Sequence, residues 1–123
     1  MAALKQVISK SGSRAVVKIT NNVSGAADDA ATITLATDIL GNGQIVQGTP
    51  TATITKIWYS APSSSYVEIK RNSVVVGTFY GHDTISEFGF SENATSDIEV
   101  LLKAGGTVII ELAKISGYSA ANS

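Results

Sequence analysis

Apolar and polar residues alternate with a period of two along most of this chain, and no stretch sustains the 3.6-residue stripe of an amphipathic helix. The alternation is clearest over residues 14–20, where Ala15, Val17 and Ile19 share one face and Arg14, Lys18 and Thr20 the other; only Val16 departs from it. Residues 97–103 repeat the pattern, with Ile98, Val100 and Leu102 inward and Asp97, Glu99 and Lys103 outward. Further strands are predicted at 4–9, as an edge strand, at 31–36, at 51–60 and at 107–115, the last apolar enough to be central. Residues 66–70 and 74–80 read as a hairpin about a tight turn at Arg71-Asn72-Ser73.

The breaks between strands have their own chemistry. Gly12, Gly41-Asn42-Gly43 and Ala104-Gly105-Gly106 supply residues that tolerate positive φ. Gly48 and Pro50 punctuate a short extended piece at 44–47, and Ala61-Pro62-Ser63-Ser64 reads as a loop. Residues 21–29 read as a polar loop, Asp38 as the cap of a single helical turn within 37–43, and Gly117 as the end of the last strand. The least regular segment is 81–96, expected as a loop or short strand that tucks Phe88 and Phe90 onto the core. About eight short antiparallel strands predict an all-β sandwich, jelly-roll-like, with an immunoglobulin-like Greek key as the alternative. The 123 residues form one domain, 1–123, on this reading.

Composition narrows the function. There is no cysteine, which excludes disulfides and thiolate metal sites. Nine basic and ten acidic residues leave a net charge of −1, and charged residues make up only 15% of the chain, without the basic excess of a phosphate-binding protein. Lys5, Lys10, Arg14 and Lys18 make the first quarter locally basic, as the solvent-facing lysines of edge strands also would. No segment reaches the roughly 18–20 apolar residues of a membrane span, and the first thirteen residues lack the apolar core of a signal peptide. Neither a nucleic-acid nor a membrane partner is expected.

Candidate catalytic groups are few. His82 is the only histidine; Asp83 lies beside it, yet neighbouring residues of a strand point to opposite faces. The serines include no Gly-x-Ser-x-Gly elbow. Asp97 and Glu99 share a strand face, as paired glycosidase carboxylates would and as any exposed face does. Asp28-Asp29 could offer oxygens to calcium without matching an EF-hand loop, and Gly41-Asn42-Gly43 lacks the lysine of a phosphate loop. The expectation is therefore no enzyme activity, no cofactor and no metal.

Interaction residues are better represented. Trp58 and Tyr59 are neighbours in a strand, so one faces the core and the other outward, where an aromatic can meet a protein or a sugar ring. The same holds for Phe79 and Tyr80. Leu4, Val7 and Ile8 are apolar where a solvated tail has no need of them; they either pair with the domain's own sheet or add an edge strand to a neighbour. With Trp58, Tyr59 and Tyr118 they form the expected interface set.

The opening Leu4-Lys5-Gln6-Val7-Ile8-Ser9-Lys10-Ser11-Gly12-Ser13, followed by Ala15-Val16-Val17-Lys18, resembles the start of small structural proteins of marine tailed phages, especially those infecting cyanobacteria. Arg71-Asn72-Ser73-Val74-Val75 and Lys114-Ile115-Ser116-Gly117-Tyr118 are similar too. The resemblance implies a virion component made in the host cytoplasm and present in many copies or as a homo-oligomer. Its expected partner is the major capsid protein or another virion protein, with capsid decoration as the leading role. A head–tail connector or tail component is the first alternative, and a carbohydrate-binding sandwich using Trp58 or Tyr59 is the second.

Overall fold

The computed structural model describes residues 4–11, 13–21, 29–41, 43–71, 74–95, 97–102 and 106–120. Seven strands follow in order: β1 Leu4–Lys10, β2 Arg14–Thr20, β3 Asp29–Ile33, β4 Gln44–Arg71, β5 Val74–Ala94, β6 Ile98–Leu102 and β7 Thr107–Ala120. All pairings are antiparallel, and no helix occurs among the described residues.

The 28-residue β4 explains how one hydrogen-bonded network becomes two sheets. Its first part, through Ser60, pairs with β7, whereas Val67 to Arg71 pair with β6. β5 follows β4 along both parts. The first sheet therefore runs β1-β2-β7-β4-β5, and the second runs β3-β6-β4-β5. The change of sheet falls between Ala61, opposite His82, and Tyr66, opposite Tyr80, where β4 advances five residues against two on β5. Such a bulge bends a strand. Pro62, which has no N–H to leave unpaired, lies within it. The expected loop at 61–64 is thus a corner inside a continuous strand.

A second bulge of the same size lies between Val46, opposite Tyr118, and Thr51, opposite Ser116. Gly48 has φ 90° there, and Gly117 across from it has φ 84°. Gly117 therefore does not end β7, which continues to Ala120. The segment 81–96, expected as a loop or short strand, is strand through Ala94 and part of a long one, since β5 pairs with β4 from Val74 to Ala94. Register shifts next to Lys56 and Ala61 break the period-two pattern that would have marked this strand in sequence.

The inner faces meet in one hydrophobic cluster. The first sheet contributes Ala15, Val17, Ile19, Ala52, Ile54, Ile57, Tyr59, Ala94, Val108, Ile110 and Leu112; the second contributes Ile33, Val67, Ile69, Ile98, Val100 and Leu102. The alternation in β2 and β6 matches this burial residue by residue. Leu35 and Ile39, from a turn after β3, are buried in the same cluster. In that turn the Thr37 and Asp38 N–H groups donate to the Thr34 carbonyl at 3.1 and 2.8 Å. Asp38 sits at the far end of the turn and not at its start. Its carboxylate reaches back to accept from the Thr34 N–H at 2.7 Å, so it closes a turn where a helical cap was expected. Asn21, expected in a loop, is buried; its Nδ2 donates to the Leu102 carbonyl at 3.1 Å and its N–H to the Gly106 carbonyl at 3.0 Å, tying one sheet to the other.

Candidate functional site

β1 is the outer strand of the first sheet and bonds only β2 among the described residues. Its seven residues are exposed except for half-buried Lys5. Leu4 is 59% exposed and Ile8 55%. Val7 lies opposite Val17, level with the inner face, and is still open to solvent at the rim. A register shift between Val7 and Ser9 leaves Ile8 as the extra residue of a bulge. These three apolar side chains thus pair with the domain's own sheet through their backbone and still present themselves outward.

The strand is also held in place. Lys5 Nζ donates to the Thr32 carbonyl at 2.9 Å and to Asp38 Oδ2 at 2.6 Å, which fastens β1 to the end of β3 in the opposite sheet. The edge is therefore preformed and needs little ordering on binding, which reduces the entropic cost of a contact.

The outer face of the first sheet carries Trp58. In register across the strands lie Gln6, Lys18, Ile109 and Trp58, with Val16 and Glu111 in the next row. Trp58, Ile109 and Val16 are half-buried. Glu111 is held by Arg14 Nη1 at 3.4 Å and by the Thr55 hydroxyl at 2.8 Å. Tyr59 takes the inward side of the pair at 5% exposure, with its hydroxyl donating to the Tyr80 carbonyl at 2.9 Å and its ring 5.3 Å from Phe79. Trp58 is therefore the aromatic of this pair that remains available to a partner.

Tyr118 is a clasp. It is half-buried, and its hydroxyl donates to the Leu35 carbonyl at 2.6 Å, while Lys114 Nζ lies 5.3 Å from its ring centroid. Lys114 Nζ also donates to the Ser11 carbonyl and to Gln44 Oε1, each at 2.6 Å. Burial, and then the charge of Lys10, hold the Lys114 ammonium below the ordinary lysine value. Burial pushes the Tyr118 phenol from 10.0 up to about 12. A group whose folded value is raised contributes stability that is present below its unfolded value, near 10, and lost as pH rises toward about 12. An absorbance titration should therefore show a phenol ionising near 12 that is missing in Tyr118→Phe, and that variant should lose less stability between these pH values than the wild type.

β5 also exposes Val74, Val75 and Tyr80, the last 72% exposed; of these only Tyr80 was anticipated, as one of a pair with one outward ring. Phe79, the other ring of that pair, packs inward. The outer face of the second sheet has a shallow depression of about 160 Å³ lined by Glu68, Lys70, Glu99 and Leu101, with Lys70 Nζ 3.9 Å from Glu68 Oε1. Glu99 and Asp97 are both exposed. No cluster of three or more metal-ligating side chains occurs among the described residues. The side chains of His82, Asp83, Glu87, Phe88, Phe90, Glu92 and Asp29 lie outside the described residues, as does all of Asp28.

No protein-family model matches the sequence, and neither does any curated protein. Among solved structures, the chain is similar to the Drosophila NLP core, at 12% identity and a TM-score of 0.41, over 75% of this chain and 100% of that one. It is also similar to latent PorU from Porphyromonas gingivalis, at 9% identity and a TM-score of 0.41, over 93% of this chain but only 14% of that one. Likenesses of this degree carry no functional weight.

Proposed function

We propose that this chain is a non-enzymatic structural component of a tailed-phage particle, a decoration protein that lies in many copies over the major-capsid lattice. The observation that carries this reading is the edge strand β1, which is anchored through Lys5 yet leaves Leu4, Val7 and Ile8 exposed. The phage-like opening sequence lies on the same strand. Strand addition supplies main-chain hydrogen bonds without special side-chain chemistry. Many weak contacts on a repeating surface then add up to firm attachment. A connector or tail position would use the same edge, with a lower copy number.

Deleting residues 1–10 tests this directly. Nearly every described side chain of β1 is exposed, so its loss removes little core. The truncated chain should keep a strand-type circular dichroism spectrum while its incorporation into particles drops at least tenfold. Incorporation at the wild-type copy number would refute the contact. Half-buried Trp58 on the outer sheet face favours one second reading, a carbohydrate-binding module. In that case a glycan array should give signals that Trp58→Ala abolishes.

A further inference from the structure

The second sheet ends on β5, whose residues 74–80 bond only β4 among the described residues. Edge strands are ordinarily guarded by charged side chains or proline, because an open row of N–H and C=O groups pairs with any strand that meets it. β1 has such guards in Lys5 and Lys10. The run Val74-Val75-Val76-Gly77-Thr78-Phe79-Tyr80 has none, for it holds no charge and no proline. Val74, Val75, Thr78 and Tyr80 are all exposed. The edge is also held in place: the Tyr59 hydroxyl donates to the Tyr80 carbonyl at 2.9 Å, and the Tyr59 ring lies 5.3 Å from Phe79. Little ordering is then left to do on binding.

The side chains along this edge complement themselves. Gly77 and Phe79 lie opposite Ile69 and Val67, both buried, and so belong to the inner face. Thr78 lies opposite Glu68 and Tyr80 opposite Tyr66, on the outer face. A register shift between Gly77 and Val75 leaves Val76 as the extra residue. Val76 packs against the core, and Val75 comes round to the outer face, opposite Lys70.

We infer that two copies of this chain pair through this edge, antiparallel, about a two-fold axis at Thr78. Such a contact uses the same patch on both partners. Thr78 then meets Thr78, Phe79 meets Gly77, and Tyr80 meets the bulge, whose outward member is Val75. Threonine pairs and aromatic–β-branched pairs are favourable cross-strand neighbours, and an aromatic ring covers a glycine opposite it. This match of the strand to itself selects a second copy as the occupant: inner residues meet inner, outer meet outer, and no like charges face each other. One strand pair buries less than the roughly 1,200 Å² at which standard interfaces begin, so the dimer is weak in solution and gains strength where many copies are held together. The contact leaves β1 free for the capsid lattice and does not depend on that reading.

Sedimentation velocity on the full chain, from about 10 μM to about 1 mM, spans the affinities expected of so small a contact. The wild type should pass from monomer to dimer and stop there, because one partner uses up a two-fold contact. Salt at about 1 M should not dissolve the dimer, since no charges hold it. Thr78→Lys should be monomeric, because two lysines would meet on the axis, and Thr78→Glu likewise. An equimolar mixture of these two variants should dimerise again, with a dissociation constant at least tenfold below that of either alone. Leu4→Lys, on the other edge, should dimerise like the wild type. The inference is overturned by a wild type still monomeric at about 1 mM, by growth past the dimer, by a Thr78→Lys that dimerises like the wild type, or by a mixture that stays monomeric. Thr78 is exposed, so circular dichroism should show both variants folded. Should they not fold, Tyr80→Ser decides: it should weaken the dimer at least tenfold, and an unchanged dissociation constant overturns the contact. A monomeric wild type that nevertheless enters particles would remove this contact and keep the virion reading. A dimer absent from particles would do the reverse.

Discussion

Ile110→Ala should destabilise the domain by about 2–5 kcal/mol, the usual cost of emptying a fully buried large aliphatic site. Ile110 is 0% exposed and lies between Val17 on β2 and Ile57 on β4, both also at 0%. β7 is the middle strand of the first sheet, so a cavity there has neighbours on both sides and in the facing sheet. Those neighbours are held by their own ladders and can relax only partly into the space. Denaturant unfolding should show a lower midpoint with an unchanged slope. A midpoint equal to the wild type would mean that β7 turns its other face to the core.

Gly117→Val should cost more than about 2 kcal/mol, from two causes at one position. Its φ of 84° lies in the left-handed region, which for a residue with a side chain costs about 1–2 kcal/mol and is a genuine outlier for a β-branched one. A Cβ there would also overlap the carbonyl of Thr49 and the Cα of Pro50, where the β4 bulge passes over β7. Backbone atoms cannot swing aside as a flexible side chain can, so the bulge itself must move. Gly43 separates the two causes. It has φ 75° but nothing within 4 Å of a Cβ, so Gly43→Ala should show only the conformational cost, about 1–2 kcal/mol. Equal losses at the two positions would show that the approach of β4 to β7 at Gly117 is not tight.

Strands with one buried face and unbroken pairing were legible in the sequence. β2 spans the predicted residues 14–20, and β6 keeps the predicted inward trio of Ile98, Val100 and Leu102. Each is short and paired in a single register, so the period of two survives along its whole length. β4 and β5 were not legible as continuous strands. Their bulges insert extra residues that invert the alternation, and Gly48, Pro50 and Pro62 look like strand ends when they mark bends.

The same cause hid the facing of the aromatics. The shift between Ile54 and Lys56 decides that Tyr59 and not Trp58 turns inward, and no local pattern reveals a one-residue bulge. Asn21 was hidden for a different reason. A buried asparagine is recognisable only by its partners, and the Leu102 carbonyl that it satisfies is 81 residues away. Exposure of Leu4 and Ile8 was visible only as apolar residues in a predicted edge strand; the Lys5–Asp38 tie that fixes this edge depends on a turn 33 residues distant.

The proposed reading as a structural component of a tailed-phage particle is tested most directly by a density map of the particle that this reading assigns the chain to, with the copy number of the chain measured against the major capsid protein. The account predicts ordered density for the sandwich on the capsid at a fixed ratio to the capsid subunits, with β1 inside a contact. Purified particles that lack the chain, while it is plentiful in the infected host, would contradict it.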